Sequence, residues 1–165
     1  MNYLFKACKG ENIKKLLISI LVSEGTGLLS SLLSTGTYEM YENLEKPAFA
    51  PPGWIFGPVW FILYLLIGLG SYRIWKMRPT KFKGKNPLVM YLILLFFSFL
   101  WPIFFFGLGL RGFALLDMII LMFFVITTTA RFYKLDKTAA YLMLPYGVWS
   151  AFALILNFST WVLNR

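Results

Sequence analysis

The sequence predicts an all-α integral membrane protein, one domain over residues 1–165 built as a bundle of five transmembrane helices. Three observations predict it. Of the 165 residues, 59% are hydrophobic, 19% aromatic and only 14% charged, more apolar surface than so short a chain can hide from water. Five apolar runs reach the ~20 residues that a helix needs to cross a ~30 Å hydrocarbon core. The basic residues, which give a net charge of +9, cluster at and between the ends of those runs. Irregular chain and open sheet edges cannot face lipid, so the runs must be helices.

The runs occupy 13–34, 52–75, 87–106, 113–133 and 138–163, with a lid loop at 35–51. Lys6, Lys9, Lys14 and Lys15 precede the first. Arg73, Lys76, Arg78, Lys81, Lys83 and Lys85 surround the second connection, and Arg131, Lys134 and Lys137 the fourth. The first connection carries Glu39, Glu42 and Glu45 against Lys46, and the third carries only Arg111. An odd number of spans puts all the basic regions on one side. The positive-inside rule makes that side cytoplasmic, with the N-terminus inside and the C-terminus outside. Topology and contact with anionic lipid account for the positive charge, and no nucleic-acid partner is expected. The segment 1–15 is polar and basic and lacks the pattern of a cleaved signal. Cys8 is the single cysteine, so no intramolecular disulfide is expected, and there is no histidine. The chain thus lacks the commonest ligand of zinc and haem iron and the usual general base. No required cofactor and no metal are expected.

In the first run, Ser23, Gly27 and Ser31 form a small-xxx-small pattern that lets helices approach closely. Glu24 lies beside them near mid-membrane. It is either a functional group or a carboxyl hydrogen-bonded to a neighbouring helix. The stretch that follows is acidic, aromatic and stiffened by Pro47, Pro51 and Pro52, which fix their own φ and push the preceding residues toward extended backbone. With Lys46 and Phe49 it reads as a lid, locked to the next helix because Pro51 or Pro52 suits a first helical turn. In the second run Trp60, Tyr64, Gly68, Ser71 and Trp75 share a face, as a packing seam or as a ligand wall. Trp75 and Tyr72 suit an interfacial belt.

The third run presents Ser98, Trp101 and Phe105 on one face, with a kink expected at Pro102. A tight turn spans 107–112. Asp117, about one turn into the fourth run, should lie at the depth of Trp101, bridging polar groups or meeting a ligand. Thr127, Thr128 and Thr129 are expected to bond their own helix. In the fifth run Pro145 should bend the helix near Tyr141, and Trp149, Ala153, Asn157 and Trp161 recur every four residues. A small alanine beside a tryptophan leaves room on that face, and Asn157 should bond a neighbouring helix.

Several motifs carry a resemblance: Leu44-Glu45-Lys46-Pro47, Pro51-Pro52-Gly53-Trp54, Pro58-Val59-Trp60, Leu63-Tyr64 and Leu144-Pro145-Tyr146, followed by Trp149, Leu156-Asn157, Trp161 and Asn164. Trp101-Pro102, Phe105-Phe106-Gly107 and Asp117 support them. The chain resembles the tryptophan-rich sensory protein family, whose animal members are called translocator proteins or peripheral-type benzodiazepine receptors. The resemblance implies a five-helix bundle, commonly a homodimer, with a ligand pocket in the outer half beneath the first loop. It implies porphyrin binding, and in animal members also cholesterol and benzodiazepine-type drugs. Trp54, Trp101, Asp117, Trp149, Ala153 and Asn157 match residues at or near that pocket. The residue pattern adds Tyr64, Ser98 and Tyr146 to the expected ligand-binding set. The sequence departs from the family at Met40, where Trp is frequent, and at Ser98, where Asn is. Phe158 and Val162 replace the Tyr and basic residue of a proposed cholesterol motif.

The expected function is a membrane receptor or sensor for porphyrin-type and other flat aromatic ligands. Indole and phenol rings stack on a macrocycle, a carboxylate or amide fixes its orientation, and Lys46 or Arg111 would pair with propionates. One alternative is an enzyme of light-dependent porphyrin degradation, working through oxidisable Trp54 and Trp149. Another is a porphyrin or lipid transporter, which the odd span count and lack of an internal repeat disfavour. The expected setting is a bacterial cell membrane, with lipid as the surrounding partner.

Overall fold

A computed structural model of the chain describes residues 2–34, 37–77 and 86–165. The expectations placed on Thr35, Gly36, Arg78, Lys81, Lys83 and Lys85, and on the side chains of Lys6, Cys8 and Lys9, lie outside the described residues. The described helices are α1 (Asn2–Leu33), α2 (Thr37–Asn43), α3 (Phe56–Trp75), α4 (Pro87–Pro102), α5 (Arg111–Leu135) and α6 (Lys137–Leu163). A single 3-10 turn, Gly53–Ile55, leads into α3, and a π-helical turn, Ile103–Gly107, ends α4. Five of these helices are long and apolar enough to cross a membrane. Their outward faces carry Leu21, Leu28, Phe61, Phe113 and Val148 exposed, which water would penalise and lipid accommodates. The chain is a multi-pass integral membrane protein.

Local chemistry sets the helix ends. Asn86 accepts from the Leu88 N–H at 3.0 Å and is followed by Pro87 in the first turn of α4, an arrangement that satisfies one orphan donor and removes another. Asp136 caps α6, accepting from the N–H groups of Thr138 (2.9 Å) and Ala139 (3.4 Å). Pro102 cannot donate to the Ser98 carbonyl, and just beyond it the backbone widens to i→i+5 pairing, with Leu108 N–H on the Ile103 carbonyl at 2.8 Å. Where a kink was expected, the regular helix gives way to a π turn.

The lid differs from its expectation. Instead of an irregular flap, its first half is helical, because every proline of the segment lies downstream of Asn43 and none obstructs α2.

The long helices form a ring in the order α1, α3, α6, α5, α4, closing back onto α1. The α1–α3 contact follows the small-residue pattern. A Cβ added at Gly68 would stand 2.9 Å from Ser23 Oγ and 3.2 Å from the Ser19 carbonyl oxygen, so only glycine permits this spacing. The Ser23 hydroxyl in turn pairs with the Tyr91 hydroxyl of α4, tying three helices together. At the opposite end to the lid, Arg73 Nε donates to Asp136 Oδ2 at 2.7 Å. Burial pushes the Asp136 carboxyl up, but the guanidinium and the two capping N–H groups outweigh it and hold the carboxyl below the usual range.

Candidate functional site

The lid is strapped from both ends. Tyr41, buried under α2, donates its hydroxyl to the Pro51 carbonyl at 2.8 Å. Asn164, just past α6, accepts from the Glu45 N–H at 3.0 Å and donates to the Glu45 carbonyl at 2.8 Å, pairing with the lid as a strand neighbour would. Lys46 Nζ donates to the Tyr41 carbonyl (3.0 Å), the Glu42 carbonyl (3.2 Å) and the Glu42 carboxylate (3.1 Å). It thereby satisfies the C-terminal carbonyls of α2. Lys46 is thus engaged in capping α2. Phe49 rests edge-on against Phe152 at 6.3 Å, Pro47 is half-buried and Pro51 supplies the carbonyl that Tyr41 uses.

Beneath the lid is a cavity of about 390 Å³. Tyr41 and Gly53 roof it; Phe56, Trp60 and Tyr64 of α3 and Ser98 and Trp101 of α4 wall it; Met118 and Leu121 of α5 lie at its back. The fourth side is α1, through Glu24, Gly27, Leu28, Ser30, Ser31 and Ser34. The aromatic wall is braced ring to ring: Trp60 contacts Tyr64, Trp101 and Tyr146 at centroid distances of 5.9, 6.2 and 5.9 Å, and Trp101 stacks on Phe105 at 5.5 Å. Gly27 lies directly against the Tyr64 ring, whose Cε2 would stand 2.5 Å from an added Cβ. Leu28 and Phe61, on facing helices, line the cavity while remaining 63% and 60% exposed, so the cavity also opens sideways into the membrane between α1 and α3.

Of the expected ligand-binding residues, Tyr64, Ser98 and Trp101 are brought together on this cavity. The others are not, and each has a physical reason. Trp54 is 68% exposed in the 3-10 turn, and its neighbour Gly53 takes the roof position. Tyr146 is fully buried behind the wall, with its hydroxyl paired to that of Ser98. Trp149 is half-buried between Phe56 (6.1 Å) and Phe152 (5.2 Å), a layer of the lid contact. Asp117 of α5 and Ala153 and Asn157 of α6 are buried off the cavity; the rings of Trp60 and Tyr64 stand against Tyr146 of α6 on the cavity side. Ala153 is 2% exposed and lies off the cavity. Asn157 was expected to bond a neighbouring helix, yet both of its amide atoms, like Asp117 Oδ2, are buried without a hydrogen-bond partner. The cavity wall on α1 has two signals in the sequence: Glu24, a carboxyl at membrane depth, and the Ser23–Gly27–Ser31 spacing, which is a close-packing seam at Ser23 and Gly27 and a cavity wall at Ser31. Among the described residues no cluster of carboxylate and thiol side chains could hold a metal ion.

The comparisons with known proteins agree with this architecture. The model of the TspO/MBR family matches residues 19–162. The chain belongs to that family. A TspO/MBR relative named Tryptophan-rich protein TspO, from Archaeoglobus fulgidus, is 38% identical over 154 residues, covering 93% of this chain and 99% of its own. The human Translocator protein is 38% identical over 122 residues, 73% of this chain and 72% of its own. The Tryptophan-rich sensory protein of Cereibacter sphaeroides is 35% identical over 126 residues, 76% and 77% of the two chains. The family match covers α1 from Ser19 onward and all the other helices of the bundle to within a residue of the end of α6.

Proposed function

We propose that this TspO/MBR protein is a membrane receptor for porphyrin-type and other flat aromatic ligands, held in the cavity beneath the lid. One observation carries the reading: a cavity of about 390 Å³ faced by the rings of Phe56, Trp60, Tyr64 and Trp101, within the size range of small-molecule sites. Such faces stack on an aromatic plane, and the Trp101 N–H, buried without a partner, can donate to a ring substituent. The rest of a macrocycle would emerge through the α1–α3 opening. Receptor is favoured over photochemical enzyme because Trp54 and Trp149, the residues expected to be oxidised, lie off the cavity. The lid faces away from the cytoplasm in this reading, and the functional unit is a homodimer. Labelling of the single cysteine, Cys8, from inside only in sealed vesicles checks the first; cross-linking in native membranes checks the second.

The central test is titration of the purified protein in nanodiscs with protoporphyrin, following tryptophan fluorescence. Saturable quenching is expected, abolished by Ser31→Phe, which fills the cavity, and preserved by Val148→Phe on the lipid face. Quenching that survives Ser31→Phe would place the ligand elsewhere.

A further inference from the structure

The polar groups around the cavity are nearly all spent within the protein. Ser30 Oγ donates to the Phe99 carbonyl at 2.6 Å, Ser34 Oγ to the Ser30 carbonyl at 2.8 Å, and Ser98 pairs with Tyr146. Among the described residues the Trp101 N–H and Glu24 are the exceptions, and Glu24 is the one acceptor. It lines the cavity from α1, its Oε1 is buried without a hydrogen-bond partner, and among the described residues no ion pair includes it. It sits near the middle of the α1 span (Gly10–Leu33), one turn from Leu28 at the lateral opening.

A carboxyl oxygen at this depth is costly without a donor to meet it, and among the described residues none bonds its Oε1. We propose that Glu24 is a specificity residue that accepts a hydrogen bond from an N–H or O–H donor, typically an amine, on an otherwise apolar ligand entering between α1 and α3. Aromatic walls take the body of such an amphiphile, and Glu24 reads its polar tip. A site built around an acceptor rejects a ligand that lacks the donor far more strongly than an apolar pocket rejects an extra methylene. The inference rests on the reading of the cavity as a ligand site.

The test compares two pyrenes that differ in one donor group, 1-(aminomethyl)pyrene and 1-methylpyrene. Each is titrated into the protein in phosphatidylcholine nanodiscs and read by energy transfer from the cavity tryptophans. Wild type should favour the amine by about tenfold to a hundredfold, the range for a hydrogen bond to a charged or acidic group. Glu24→Leu should collapse that ratio to the value set by lipid partitioning, measured in empty nanodiscs. Glu24→Gln, nearly isosteric and still an acceptor, should retain part of it. Methylpyrene should bind all three proteins alike. An amine preference unchanged in Glu24→Leu overturns the proposal. So does a parallel loss of methylpyrene in both variants, because Glu24 would then shape the cavity rather than read a donor. Protoporphyrin binding without any amine preference overturns this inference alone, whereas no saturable binding of any probe removes the ligand site itself.

Discussion

The two sides of the bundle are built from similar residues and end in opposite states. On the α5–α6 side, Gly147 lets the helices close until a Cβ there would stand 3.3 Å from Val125; Ala153 is 2% exposed, and Asp117 and Asn157 are buried with unpaired atoms. On the α1 side, Gly27, Ser30 and Ser31 are just as small, yet a cavity persists. The difference lies in what faces them. Trp60 and Trp101 are held by one another and by Tyr64, Tyr146 and Phe105, so they cannot lean into the gap that the small residues leave. Space survives where small residues oppose rings already braced elsewhere, and polar or aromatic content alone does not create it.

The largest effect that separates the sides is over-packing. Ala153→Phe adds a ring to a position 2% exposed, and should cost about 1–3 kcal/mol or more, visible as a clear fall in melting temperature in detergent. Ser31→Phe adds the same volume beside the cavity and should stay within about 0.5 kcal/mol of wild type. Equal losses at the two sites would erase the distinction between a filled and a hollow side.

The next effect has the opposite sign. Asn157 is 1% exposed with its carbonyl oxygen and its nitrogen both unpaired, so Asn157→Leu should be neutral or stabilising by on the order of 1 kcal/mol. A marked fall in melting temperature would mean that the amide bonds something, such as ordered water, and that the α5–α6 side is not sealed.

How much of this was legible in the sequence depends on the scale of the signal. The five spans were readable because each is a long run that only lipid can accommodate, and the family because its motifs recur in order along the chain. The cavity was not, because spacing ranks residues on one helix and says nothing of which helix stands between them and a space. Trp149, Ala153 and Asn157 recur at four-residue spacing as expected, but none of them lines the cavity, and Trp149 packs on Phe56 and Phe152 instead. Helix α2 is only seven residues long and is followed by prolines that signal a loop, and the pairing of Asn164 with Glu45 spans more than a hundred residues and leaves no local trace.

The lid offers a smaller, local contrast with the bundle. Asn164→Ala removes two bonds to Glu45 and should speed amide exchange at Glu45 about tenfold, matching ~1–1.5 kcal/mol of lost local bonding, with exchange in α5 unchanged. Acceleration spread through the bundle would show the lid and helices to be one cooperative unit.

The smallest effect belongs to the far end. Asp136→Asn keeps a good N-cap for α6 and deletes the pair with Arg73, whose side chain is 44% exposed, so the loss at neutral pH should be only ~0–1 kcal/mol. The sign of its pH dependence is fixed. The folded carboxyl is held below its usual range, so its contribution is complete above the unfolded value of about 3.9 and is lost as pH falls through the folded one. The stability gap between wild type and Asp136→Asn should therefore be constant from neutral pH down to about 4 and close below it. A gap that instead narrows on raising the pH would mean that Asp136 stabilises the bundle in its protonated form, and that the Arg73 contact contributes nothing as an ion pair.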